Sequence, residues 1–324
     1  MNTVNRRFSV APMMDWTTHE CRYFLRLISK RALLYTEMVT TGALIHGDSA
    51  RFLRHDQSEH PVALQLGGSN PADLATCTKM AAAAGFDEVN LNVGCPSDRV
   101  QNNMIGACLM AHPQLVADCV KQMQDGVDIP VTVKHRIGIN GRDSYAELCD
   151  FVGTVRDAGC TSFTVHARIA ILEGLSPKEN RDIPPLRYDI AAQLKTDFPD
   201  LEIILNGGIK TLEQCAEHLQ TFDGVMLGRE AYHNPWLLSE VDHQLFGDAP
   251  RAITRTEVLE QLRPYLLAHI AQGGKATHVT RHLLGLAQGF PGARRFRQLL
   301  SADIYKTDDP MRIYDQAVAG LEGR

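Results

Sequence analysis

A chain of 324 residues, 44% of them hydrophobic, can bury a large core without disulfide staples, and it has room for one large α/β barrel plus a small addition or for two ordinary domains. Its formal net charge of −5 excludes a chain that is basic throughout, although a local basic patch remains compatible with that average. The eight cysteines (Cys21, Cys77, Cys95, Cys108, Cys119, Cys149, Cys160 and Cys215) form no C-x-x-C pair and no zinc-finger spacing, so no metal site is expected. Scattered single thiols fit a reducing compartment. The opening "MNTVNRRFSVAPM" lacks the apolar stretch of a signal peptide, and no run approaches the ~20 apolar residues of a membrane span, so a cytoplasmic protein is expected.

Short apolar, β-branched segments recur down the chain. They are "FSVAPM" from Phe8, "LLYTEMVT" from Leu33, "VALQLGG" from Val62 and "EVNLNVG" from Glu88, then "VTVKHRIG" from Val131, "SFTVHAR" from Ser162, "EIILNGG" from Glu202 and "GVMLGR" from Gly224. Gly, Pro, Asn or Asp bounds each one, as turn residues bound strands. Several are almost continuously apolar, which is how parallel strands covered on both faces read. Helical patterns lie between them. In "NPADLATCTKMAAAAGF", Asn70 is the expected N-cap, Pro71 the first helical residue and Gly85 the stop. "HPQLVADCVKQMQDG" and "DSYAELCDFVGTVRDAG" also end on glycine. Strand and helix alternate eight times over about 240 residues, which fits a TIM barrel better than a doubly wound sheet.

After "NPWLLSEVDHQLFG" the alternation stops. From Pro250 the patterns are helical only: "TRTEVLEQLRPYLLAHIAQGG", "THVTRHLLGLAQGF", "ARRFRQLLS" and "MRIYDQAVAGLEG". A barrel over 1–248 and a small all-α domain over 249–324 are therefore expected. The tail from Pro250 holds 11 Lys and Arg against 7 Asp and Glu, which leaves 22 of the 33 basic and 31 of the 38 acidic residues to the barrel. A change of charge thus coincides with the change of pattern.

Barrel enzymes carry their chemistry at the C-terminal ends of the strands. Those ends here are Pro12 and Met13, Gln65, Asn92 and Cys95, Lys134, His166 and Arg168, Asn206 with Gly207 and Gly208, and Gly228 with Arg229. Glycines after the seventh and eighth strands let backbone N–H groups approach a ligand, and those two loops are the usual phosphate cradle of this architecture. Either loop alone reads as an ordinary turn. Together they point to a phosphate-bearing cofactor, with Arg229 supplying charge. Lys134 in a barrel mouth needs a partner or a task, because an unpaired buried charge is expensive. It can form a Schiff base, or it can stabilise negative charge on a flavin ring. Met13 offers a soft wall to a flat ring, and Gln65 an amide that both donates and accepts. Cys95 ends a strand on this face, whereas five other cysteines fall in helical patterns. It can be a packing residue, a nucleophile activated by His166, or a proton donor, since a thiol is mostly protonated at neutral pH. Asn92, two residues back on the same face, can hold a planar substrate.

The series "APM…LQLGG…NLNVGCPS…VKHRIG…HAR…LNGGI…MLGRE" resembles the flavin-dependent tRNA-dihydrouridine synthases over essentially the whole chain. "MDWTTHECRYFLR" and "HARIAILEGLSPKENRDIPPLRYD" resemble the A-type branch. The resemblance implies reduction of the uracil C5=C6 bond in the D-loop of tRNA, with tightly bound FMN as carrier and NADPH as electron donor. It implies that Cys95 is the proton donor and that Asn92 contacts the target nucleotide. By the same match Pro12, Met13, Met14, Gln65, Lys134, His166, Asn206, Gly207, Gly208, Gly228 and Arg229 line the FMN, and Lys178, Arg181, Arg294 and Arg297 engage tRNA. A target uridine must be splayed out of the folded RNA, and an acidic barrel needs a basic tail beside it to hold a polyanion. A monomer that meets tRNA, with no membrane and no metal partner, is expected. The rival readings are a Schiff-base lyase using Lys134, a flavin enzyme of the dihydroorotate-dehydrogenase type, and a tRNA binder without catalysis.

Overall fold

The computed structural model describes residues 4–97 and 103–321. Eight parallel strands close into a barrel in chain order: β1 (Phe8–Val10), β2 (Leu33–Thr40), β3 (Val62–Gly67), β4 (Glu88–Val93), β5 (Val131–Arg136), β6 (Ser162–His166), β7 (Glu202–Asn206) and β8 (Gly224–Leu227). Closure is made by β1 against β8, with Phe8 beside Val225 and Val10 beside Leu227. This is the TIM barrel that the strand rhythm predicts.

Local chemistry sets the helices between strands. Asn70 caps the helix Pro71–Ala84 by accepting from the N–H groups of Ala72 (2.9 Å) and Asp73 (3.1 Å). Gly85 ends that helix at φ 95°, a left-handed conformation that a Cβ disfavours. The second βα unit carries two short helices, Thr41–His46 and Ser49–Phe52, where one long helix is usual.

The apolar residues divide between two places. The large cluster fills the shell between strands and helices and continues unbroken into the tail through Leu259, Leu262, Val279, Leu286 and Phe296. The cluster inside the barrel is small: Ala11, Leu33, Tyr35, Ala63, Ile204 and Met226. Side chains alternate across a strand. On β4, Val89, Leu91 and Val93 belong to the outer shell, which leaves Glu88, Asn90 and Asn92 on the inner face. The inside of this barrel is thus filled largely by buried polar groups.

Beyond β8 the chain is helical. The long helix Arg255–Ala271 opens with a capping box between Thr254 and Glu257 and packs on the helix His19–Ile28. The sequence predicts a second long tail helix over "THVTRHLLGLAQGF", and here the structure differs. The helix shortens to Ala276–Thr280, and turns follow through Phe290. Gly285 supplies the reason: a Cβ there would stand 2.2 Å from the carbonyl oxygen of His233, so this segment lies directly against the barrel backbone. The helix Ala293–Gln298 runs on as a π-helical turn over Leu299–Asp303, and Pro310–Ala319 forms the last helix.

Candidate active site

β4 delivers Asn92 and then Cys95 to the barrel mouth. Asn92 is buried, and its Oδ1 accepts from the backbone N–H groups of Gly94 (3.1 Å) and Cys95 (2.9 Å). On its other side the Cys95 carbonyl accepts from Ala107 N–H at 2.9 Å. The backbone of Cys95 is therefore held on both sides, with Cys95 half-buried at the rim. Burial pushes the thiol of Cys77 up to about 11 and those of Cys119, Cys160 and Cys215 up to about 12.

The neighbouring strands bring cations. In the sheet register Lys134 stands beside Asn92, and His166 stands beside both Arg136 and Asn206. Burial first, and the charge of Arg136 next, pull the Lys134 ammonium down to about 7. Among the described residues no carboxylate pairs with it. Burial, then Arg136 and Lys134, hold the His166 imidazole well below its ordinary range, so it is neutral at physiological pH. Arg136 is fully buried. Its Nε donates to the Gly94 carbonyl at 3.0 Å, and Nη1 donates to the carbonyls of Ile169 (2.9 Å) and Asn180 (3.0 Å).

β7 ends in Asn206, whose Nδ2 donates to the Met226 carbonyl at 2.8 Å. Gly207 and Gly208 follow with φ of 114° and 74°. A Cβ on Gly207 would lie 2.7 Å from His166 Cδ2, and one on Gly208 would lie 2.4 Å from Leu186 Cδ1. Both positions therefore need glycine for space as well as for conformation. After β8, Gly228 caps the short helix Arg229–His233 and lies beside Ala11 and Met13. Arg229 is not a free charge: it pairs with Asp182 at 2.7 Å, across to the loop that follows β6. Pro12 and Met13 are half-buried after β1, and Met14 is 58% exposed.

The β2 end holds an irregularity that sequence did not reveal. The register shifts between Tyr35 and Met38, so β2 bulges beside Gln65. Thr36 Oγ1 accepts from Gln65 N–H at 3.1 Å, and Glu37 turns to accept from Asp15 N–H at 2.6 Å.

Lys178 and Arg181 are exposed on the loop after β6, close to the mouth through Asp182 and Arg229. The tail reaches the mouth around His282. His282 accepts or donates at 3.1 Å to both Thr18 Oγ1 and Tyr232 OH, Tyr232 stacks on Trp16 at 4.4 Å, and Arg281 donates to the Asp15 carbonyl. Arg294 and Arg297 are exposed on Ala293–Gln298 and form no ion pair among the described residues, whereas Arg295 pairs with Asp303 at 2.8 Å. The structure brings the barrel residues to one mouth and leaves these two arginines apart from it, on the tail surface.

The sequence profile described as dihydrouridine synthase matches residues 9–319. The chain belongs to the dihydrouridine synthase family. It is 78% identical over 320 residues to the tRNA-dihydrouridine(20/20a) synthase of Pseudomonas syringae pv. tomato, covering 99% of this chain and 95% of that one. The protein of the same name from Pseudomonas aeruginosa is 74% identical over 321 residues, covering 99% and 97%. That from Salmonella typhi is 58% identical over 313 residues, covering 96% and 94%.

Dihydrouridine synthases reduce uridine with a flavin, and the mouth of this family member fits such a group. A lysine without a carboxylate partner among the described residues, the buried Arg136 guanidinium beside it and a neutral imidazole make a cationic recess at the strand ends. Arg136 is the residue that sequence reasoning missed. Its signal was parity: two residues after Lys134 on one strand, it shares the inner face.

Proposed function

We propose that this protein reduces the C5=C6 bond of uridine at positions 20 and 20a of tRNA, the positions in its relatives' name, with FMN as the resident flavin and NADPH as electron donor. The flavin, when bound, supplies the electron pair. The chain does the rest. Pro12, Met13, Met14, Gln65, Lys134, His166, Asn206, Gly207, Gly208, Gly228 and Arg229 would hold the flavin, and Lys134 would balance its negative charge. Cys95 gives its thiol proton to the uracil carbon that the flavin does not reduce. Asn92 faces the same ring and fixes the Cys95 loop. Residues 1–248 form the catalytic unit, and residues 249–324, with Lys178 and Arg181 at the mouth and Arg294 and Arg297 on the tail, engage tRNA.

The observation that carries this reading is the placement of Cys95: a half-buried cysteine whose backbone N–H and carbonyl are both held, beside a mouth whose lysine lacks a carboxylate partner among the described residues. We also place the protein in the cytoplasm as a monomer. Its eight thiols are free, which fits a reducing compartment, and no helix among the described residues is long and apolar enough to cross a membrane.

The deciding experiment separates the half-reactions. NADPH reduces the flavin without any acid for uracil, so Cys95→Ala should keep that step. Uridine reduction should fall by ~10²–10⁴-fold, the usual contribution of a placed general acid. Wild-type uridine reduction by the alanine variant would sink the reading.

A further inference from the structure

A chain of hydrogen bonds crosses the buried inside of the barrel and ends on Cys95. At its far end Glu88 is held by Arg6 Nε at 2.6 Å, and the same arginine reaches Glu202 at 2.8 Å. Thr132 Oγ1 donates to Glu88 Oε1 at 2.6 Å, and Asn90 Nδ2 donates to Thr132 Oγ1 at 2.9 Å. Gln65 Nε2 donates to Asn90 Oδ1, and Asn92 Nδ2 donates to Gln65 Oε1, both at 2.8 Å. The chain closes where Asn92 Oδ1 accepts from Cys95 N–H at 2.9 Å. Glu88, Asn90, Gln65 and Thr132 are each no more than 2% exposed.

Every donor in this chain points toward Glu88, and the sense follows from chemistry. An ionised carboxylate can only accept, and a hydroxyl has one proton to give. Thr132 spends its proton on Glu88 and can only accept from Asn90. Asn90 must then show its oxygen to Gln65, Gln65 its oxygen to Asn92, and Asn92 its oxygen to Cys95. Without the Thr132 hydroxyl that sense is held from one end only, by the N–H groups of Gly94 and Cys95, and all three amides can turn over together and still bond to one another. Turned over, Asn92 would present an NH2 to the N–H groups of Gly94 and Cys95. Donor would face donor, and the loop would move.

We infer that Thr132 and Asn90 are positioning residues for the reaction: anchored on Glu88, they fix the sense of the Gln65 and Asn92 amides and so hold the Cys95 loop in place. This rests on the reading of Cys95 as proton donor. Tyr35 supplies a matched control, because its hydroxyl also donates to Glu88 Oε1 at 2.6 Å but lies outside the chain.

The test compares Thr132→Val, Thr132→Ser, Tyr35→Phe and Cys95→Ala in the flavin-loaded enzyme. For Thr132→Val, kcat for uridine reduction should fall by about 10- to 100-fold, the scale of a small misplacement of a reacting group. Its KM for tRNA should hold, and NADPH-driven flavin reduction should fall less than uridine reduction. Thr132→Ser should restore turnover, and Tyr35→Phe should turn over like wild type. If Thr132→Val does not accumulate as folded protein, Thr132→Ala removes the same hydroxyl without crowding and is read in the same way. Wild-type turnover without the hydroxyl, an equal loss in Tyr35→Phe, or an equal loss in both half-reactions overturns the inference. If Cys95→Ala is itself fully active, the fault lies with the proton-donor reading and not with the chain.

Discussion

Arg136 Nε donates to the carbonyl of Gly94 at 3.0 Å, one residue before the candidate proton donor. The same guanidinium donates to Ile169 and Asn180, so one buried side chain ties the Cys95 loop to the loop that carries Lys178 and Arg181. Arg136→Met should leave these carbonyls without their donor, at about 1–3 kcal/mol for each that water does not reach. Arg136→Lys keeps the charge but not the planar fork, so it should not restore function. Thermal unfolding and single-turnover uridine reduction check this. A lysine variant with wild-type values for both would contradict it.

Lys134 makes stability depend on pH. Its folded value near 7 lies below the ordinary 10.5, so between these values the unfolded chain binds more protons than the folded one. Stability of the flavin-free protein should therefore rise as pH increases from about 7 toward 10, and Lys134→Met should lose that slope. The anionic reduced ring favours the charged ammonium, so reduction of the bound flavin at pH 8 should take up more protons in the wild type than in Lys134→Met. Calorimetry in buffers of differing ionisation enthalpy measures that uptake. Lys134→Met should also make the bound flavin harder to reduce, which a spectroscopic redox titration reports; an unchanged or more positive potential would contradict the role.

Gly207→Ala and Gly208→Ala should each lose flavin. The first sets a methyl against the His166 ring, and the second sets one against Leu186 and 2.8 Å from Tyr188 OH. Both also force a side chain into positive φ, at a cost of roughly 1–2 kcal/mol. The flavin absorbance of purified protein, measured against its protein content, checks this, and a fully loaded alanine variant at either position would contradict it.

Arg294 and Arg297 lie three apart on a helix and share a face, while Phe296 and Leu299 between and beyond them are buried. Removing both should weaken tRNA binding and reduce its salt slope by about two units, one for each phosphate that is no longer neutralised. Flavin content should stay normal. Equal affinity and equal slope in the double variant would return these arginines to an ordinary solvated surface.

Much of the barrel is legible in sequence because its strands are short apolar runs cut by Gly, Pro and Asn. β2 coincides with "LLYTEMVT" from end to end, and the helix after Asn70 begins and ends where its cap and glycine say. The features that escaped are set by tertiary packing. Gly285 looks like any helix glycine until the His233 carbonyl is seen against it. The bulge at Thr36 and Glu37 has no glycine or proline to mark it. The inward parity of Asn92 was readable, but not that its oxygen is committed to Cys95 N–H, because the partner that decides this, Gln65, comes from another strand.

His282 has a further consequence. Burial holds its ring down to about 4, so it stays neutral while it joins Thr18 on the barrel to Tyr232 beside the mouth. At His282 the tail is thus seated on the barrel by uncharged hydrogen bonds, which salt screens little, beside the Arg281 guanidinium that donates to the Asp15 carbonyl. An RNA gripped by such a tail meets the mouth at a span set by the protein. If the tail holds tRNA as proposed, such an arrangement would work as a calliper: the nucleotide presented to Cys95 would be chosen by its distance from the grip along the folded RNA, and the letters of the surrounding sequence would not need to be read.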